Sequence, residues 1–187
     1  MITPDGKTAY VTSDESILVP IDTATSTPGP PIAVGANRPG LHDQPDGIAI
    51  TPDGRTVYVA NIGSGTVTPI DTATNTPGEP IDVGSEPFAI TVTPDGKTVY
   101  VANTWENTGR PASTPGTVTP IATATNTPGA PIEVGSQPWA FAITPDGKTA
   151  YVINFASDTA TPIATATNTA GTPIEVGDGP YAIAVTP

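Results

Sequence analysis

The chain has 187 residues, a length that suits one domain over residues 1–187, and sets 18 acidic against 6 basic side chains, for a net charge of −12. That charge opposes nucleic acid, which recruits lysine and arginine clusters, and opposes docking on anionic membranes. The absence of cysteine excludes disulfides and thiolate chemistry, and no apolar run approaches the ~20 residues of a membrane-spanning helix.

Read in order, the chain repeats one motif. Thr93-Pro94-Asp95-Gly96-Lys97-Thr98-Val99-Tyr100-Val101-Ala102-Asn103 recurs with small substitutions at residues 3–13, 51–61 and 144–154, and the sequence ends on Thr186-Pro187, the opening of a fifth copy. Each Thr-Pro-Asp-Gly predicts a tight turn: proline presets φ, Asp bonds locally, and Gly supplies a positive φ. A strand A is predicted before each turn, at residues 47–51, 88–93, 139–144 and 181–186. A strand B follows it at 8–12, 56–60, 98–102 and 149–153, and a strand C at 16–21, 66–70, 117–121 and 159–163. Thr-Ala-Thr-Asn-Thr-Pro-Gly segments then turn the chain into a strand D near 31–34, 80–83, 131–134 and 173–176. Helical periodicity is absent, and prolines are too frequent for it. Strand C carries Pro20, Pro69, Pro120 or Pro162. A proline removes a ladder donor, so a short or ragged strand D that leaves part of C unpaired is expected. Met1 stands where Ala49 and Ala142 stand in later copies, so the chain is expected to begin inside a repeat, as a segment of a longer protein or cut at a whole number of units.

The strand ends Tyr10-Val11-Thr12-Ser13, Tyr58-Val59-Ala60-Asn61, Tyr100-Val101-Ala102-Asn103 and Tyr151-Val152-Ile153-Asn154 carry a resemblance over nearly the whole chain. The repeat resembles the YVTN family of β-propeller repeats. The resemblance implies one four-stranded antiparallel blade per repeat, so that the four copies make an all-β propeller of four blades, and it implies a secreted or cell-surface location and no catalytic residues. The chain starts just before a strand B and ends after a strand A, a circular permutation, so segment 181–186 is expected to pair with residues 8–12. That pairing closes a ring within one chain at about 90° per blade, or an eight-bladed homodimer ring at about 45°. The homodimer is slightly preferred over the single-chain ring, because a family with about seven blades suits shallow turns. An incomplete arc of a longer propeller stands equally open.

The Thr-Pro turns are spaced 48, 42, 51 and 42 residues apart, so two insertions interrupt a unit of 42: residues 36–44, between D and A, and residues 104–115, between B and C. In an A-to-D meander these connections emerge on one face, where loops on a rigid scaffold carry function. Arg38, His42 and Asp43 from the first insertion, and Trp105, Glu106, Asn107 and Arg110 from the second, are the contact candidates, an aromatic-plus-arginine set of the kind interface hot spots favour. Lys7, Arg55, Lys97 and Lys148 mark the opposite, plain face. At the start of strand A the residue after proline is Phe88, Trp139 or Tyr181, but Asp46 in the remaining copy. Three aromatics and one carboxylate can line a pocket with a single polar anchor; inter-blade packing is the plainer reading.

Catalytic chemistry is not legible. His42 is the only histidine, and with Asp43 and Asp46 it makes a weak metal set, so no metal and no cofactor is expected. Gly63-Ser64-Gly65 is a hairpin loop and not a nucleophile elbow. The sequence therefore points to a non-enzymatic propeller scaffold that binds a protein or glycan partner, extracellularly, without nucleic acid or membrane insertion. Its rivals are a lactonase-like hydrolase on the same fold and a structural repeat segment of a larger protein.

Overall fold

The computed structural model describes residues 1–35, 44–104 and 113–186. They form four antiparallel sheets and, among the described residues, no α-helix. The first sheet holds β1 (Thr8–Ser13), β2 (Ile17–Asp22), β3 (Thr27–Pro28) and β4 (Ile32–Ala33). The second holds β5 (Pro45–Ile50), β6 (Thr56–Asn61), β7 (Thr66–Asp71), β8 (Thr76–Pro77) and β9 (Ile81–Asp82). The third holds β10 (Pro87–Val92), β11 (Thr98–Asn103), β12 (Pro115–Ala122), β13 (Thr127–Pro128) and β14 (Ile132–Ser136). The fourth holds β15 (Pro138–Ile143), β16 (Thr149–Asn154), β17 (Thr159–Ala164), β18 (Thr169–Ala170) and β19 (Ile174–Glu175), with a 3-10 turn at Phe155–Ser157. The meander order expected from the repeat is the observed one.

The turn between the first two strands of each unit is built the same way every time. In the third copy the Thr93 hydroxyl donates to Asp95 Oδ1 at 2.7 Å and accepts from the Thr98 amide at 3.1 Å, while the Lys97 amide donates to the same carboxylate oxygen at 3.1 Å. Gly96 takes φ 72°, a left-handed conformation that other residues reach only at a cost. These bonds to the charged form hold the Asp95 carboxyl below its ordinary value, and the Thr144 hydroxyl does the same for Asp146, down to about 2.

The strand prolines divide strand D in two. Pro69 lies opposite Tyr58 on one side; on the other, β8 pairs with Ile70 and Asp71, and β9 pairs with Thr66 and Val67. The Pro69 carbonyl accepts the Gly78 amide at 2.8 Å, so its imide nitrogen faces the same side. The missing donor therefore falls in the gap between the two short strands, and no ladder bond is lost.

Three apolar cores join the sheets in sequence. Tyr10, Leu18, Ile32 and Val34 meet Val57, Val59 and Ile70. Tyr58, Val67, Ile81 and Val83 meet Val99, Val101 and Ile121. Tyr100, Val118, Ile132 and Val134 meet Ala150, Val152 and Ile163. Each tyrosine then donates its hydroxyl to an asparagine of the following sheet: Tyr10 to Asn75 at 2.7 Å, Tyr58 to Asn126 at 2.8 Å and Tyr100 to Asn168 at 2.6 Å. Burial first, and the carboxylates of Asp53 and Asp95 second, push the phenols of Tyr58 and Tyr100 up to about 12.

Within the single chain, the expected pairing of segment 181–186 with residues 8–12 is not what the structure shows. Residues 181–186 form no strand. The edge of β1 is taken by the chain's own first residues. Ile2 bridges Ala9, the Tyr10 amide donates to the Met1 carbonyl at 2.8 Å, and the Thr3 amide donates to Thr8 at 2.9 Å. Met1-Ile2-Thr3 matches Ala49-Ile50-Thr51, the end of a strand A. It reaches its position through a local turn, whereas the distant segment must close a long loop to reach the same edge.

Candidate functional site

One rim of the molecule carries the start of every inner strand. There the connection after the second strand of a sheet is tied to the residue that precedes the first. Ile62 donates its amide to the Gln44 carbonyl at 3.2 Å, Thr104 to Glu86 at 3.1 Å, and Phe155 to Gln137 at 2.8 Å. Gln44, Glu86 and Gln137 adopt φ of 42°, 52° and 52°, a left-handed conformation that is costly for such residues and that these bonds hold in place. Gln44 ends the first insertion and Thr104 begins the second, so both insertions attach at this rim. Arg38, His42 and Asp43, and Trp105, Glu106, Asn107 and Arg110, lie outside the described residues.

Of the four residues singled out at the strand starts, the structure gathers three. The rings of Phe88 and Trp139 lie 4.5 Å apart, and Tyr181 stands edge-on to Trp139 at 6.0 Å. A fourth ring, missed in the sequence, completes the group: Phe155 lies 5.9 Å from Trp139 and 5.1 Å from Tyr181. These separations suit tilted and edge-to-face aromatic pairs. Phe88, Trp139 and Phe155 are half-buried, while Tyr181 is 64% exposed. Phe155 occupies the place held by Asp14, Ile62 and Thr104 in the other units. The signal was an aromatic residue directly after Asn154, at the rim end of strand B.

Asp46 stands apart from the rings. It lines a cleft of about 330 Å³ with Thr12, Asp14, Gln44 and Ile62. Its side chain remains exposed, but the surrounding protein first, and the Asp14 carboxylate second, raise its pKa above the ordinary value. The rim thus runs from a carboxylate pair at the first two sheets to an aromatic group at the last two. Among the described residues no cluster of metal-ligating side chains is present. A cleft of about 310 Å³ on the opposite face is formed by the turn residues Asp53, Arg55 and Asp95 with Thr123, and reflects the repeat.

Beneath the rim sit three fully buried asparagines. Asn103 Nδ2 donates to the hydroxyls of Thr117 and Thr119 at 3.0 and 3.1 Å and to the Val83 carbonyl at 3.2 Å. Asn61 and Asn154 bond the equivalent threonines. These bonds fix the end of strand B from which the rim connections leave.

Comparison with known proteins returns the fold. No family model matches the chain, and no curated protein matches it. Solved structures with β-propeller-like folds do. The hydrazine synthase of Kuenenia stuttgartiensis matches with a TM-score of 0.77 and 27% identity over 93% of this chain and 48% of that one. A functionally unknown protein from Desulfotomaculum acetoxidans gives 0.70 and 22% over 91% and 53%. A putative 6-phosphogluconolactonase from Bacteroides uniformis gives 0.76 and 18% over 97% and 55%. The chain therefore spans about half the length of the structures it matches, and it is an all-β chain of four antiparallel sheets with a propeller-like fold.

Proposed function

We propose that this chain is a non-enzymatic β-propeller scaffold of four YVTN-like blades that binds a protein or glycan partner through the rim carrying the 36–44 and 104–115 insertions. The observation that carries the reading is the four-ring group Phe88, Trp139, Phe155 and Tyr181, gathered where the loops attach. Aromatic side chains supply large contact area at little entropic cost, and such anchors dominate recognition surfaces. The net charge of −12 and the Asp14–Asp46 pair favour a neutral or basic partner. The YVTN-like repeat favours an extracellular or cell-surface setting. Titration of a panel of neutral oligosaccharides and basic peptides against tryptophan fluorescence tests the reading. Binding lost in Trp139→Ala but kept in Lys97→Ala supports it; binding indifferent to Trp139 moves the site elsewhere.

A second reading, a lactonase-like hydrolase, has one observation in its favour: the raised carboxyl of Asp46 beside Asp14, since perturbed carboxyls suit acid–base work. At 18% identity the phosphogluconolactonase likeness contributes only the fold. Turnover of a simple lactone, lost in Asp46→Asn, would establish this reading in place of the first.

A further inference from the structure

The two ends of the arc present opposite halves of one interface. Within the chain each junction is made by a tyrosine face on one sheet and a valine face on the next. No sheet among the described residues covers the valine face of the first: Val11 is 48% exposed where Val59 and Val101 are fully buried. No sheet among the described residues covers the tyrosine face of the fourth. Ile174 and Val176 are 47% and 48% exposed, where their counterparts Ile81, Val83, Ile132 and Val134 are buried. Apart from Tyr181 of the rim group, the large apolar side chains exposed among the described residues lie near one of these two ends: Met1, Ile2 and Val11 at the first, Ile174, Val176 and Val185 at the last. Tyr151, the fourth tyrosine, has no hydrogen-bond partner among the described residues. Ser26, at φ 55°, occupies the turn position that in later sheets holds the acceptors Asn75, Asn126 and Asn168, at φ 54°, 54° and 53°.

We propose that these two faces dock on each other between two copies of this chain, head to tail, closing a two-chain ring of eight sheets. The occupant is a second copy because the two faces complement each other in the way the three internal junctions already do. A head-to-tail contact closes when its rotation divides the circle, and eight blades lie within the propeller range. In each new junction Val11 of one copy enters the core beside Ile174 and Val176 of the other, and Tyr151 faces Ser26. That junction is the weakest of the ring, because serine is shorter than asparagine and Val19 stands where Thr68, Thr119 and Thr161 stand elsewhere.

Analytical ultracentrifugation of the 187-residue chain at micromolar concentration tests this. A species of twice 18.8 kDa is expected; a monomer overturns the proposal, and a ladder of larger species overturns ring closure. Val11→Glu and Val176→Glu each place a charge on one face and should each yield monomers, while their equimolar mixture should form a 1:1 complex through the one junction left intact. A dimer that survives either substitution alone overturns the head-to-tail arrangement. Ser26→Asn restores the acceptor at both junctions of the ring and should tighten the dimer by about 25-fold, about fivefold for each added hydrogen bond, with the gain abolished in Tyr151→Phe. No gain from Ser26→Asn would remove Tyr151 from the interface.

Discussion

Asn103 shows how much one side chain holds at the rim. Its amide ties Thr117 and Thr119 on the neighbouring strand to the Val83 carbonyl, and truncation removes all three bonds, leaving the Val83 carbonyl to the Thr119 hydroxyl alone. Asn103→Ala should therefore cost about 1–3 kcal/mol, read as a lower urea midpoint at unchanged slope. The turn aspartates set the acid limit of stability. Threonine hydroxyls and backbone amides hold Asp5, Asp53, Asp95 and Asp146 below 3.8. Their folded-state pKa values are depressed, so their contribution is complete above 3.8 and is lost as pH falls through the folded values, to about 2 for Asp146. The phenols of Tyr58 and Tyr100 are raised to about 12; their contribution is complete below 10 and is lost as pH climbs toward 12. A melting temperature measured across pH should thus be level through neutrality and fall at both extremes. Tyr58→Phe should lower it and remove part of the alkaline loss.

At the level of the strand, close approach is decided at Gly47. A Cβ there would overlap the Phe88 carbonyl oxygen and stand 3.0 Å from Ile90 Cγ2. Gly47→Ala should force β5 from β10 and cost about 1–3 kcal/mol, measured by denaturant titration. The second insertion behaves oppositely. Removing residues 105–113 restores the 42-residue spacing of the repeat and keeps Thr104, which is bonded to Glu86. The melting temperature should stay within a few degrees while partner binding is lost. The order of strands was legible because Thr-Pro-Asp-Gly marks every turn between A and B, and a short outer strand that leaves part of C unpaired was expected from Pro20, Pro69, Pro120 and Pro162; its second piece, at Thr27–Pro28, Thr76–Pro77, Thr127–Pro128 and Thr169–Ala170, lies in segments that read as turns. The fate of residues 181–186 was not legible. The same local pattern stands at Met1-Ile2-Thr3, and only tertiary structure decides which copy takes the edge of β1. Phe155 was missed for a related reason: its partners Trp139 and Tyr181 come from elsewhere in the chain, and the rim joins them only once the sheets are stacked.

For the molecule as a whole, three serial cores make a quasi-one-dimensional stack in which each sheet depends on its neighbours. Amides of β6 and β11, in the two sheets flanked on both sides, should exchange slowest. Those of β1, β17 and β19 should exchange faster in the single chain, a gradient that hydrogen exchange reads directly. The placement of the basic residues has a practical outcome. Lys7, Lys97 and Lys148 are the only lysines in the sequence; each follows a Thr-Pro-Asp-Gly turn and is highly exposed. Amine-reactive chemistry at the lysines would consequently tether every molecule by that one face, and leave an immobilised layer oriented with its aromatic side toward the solution.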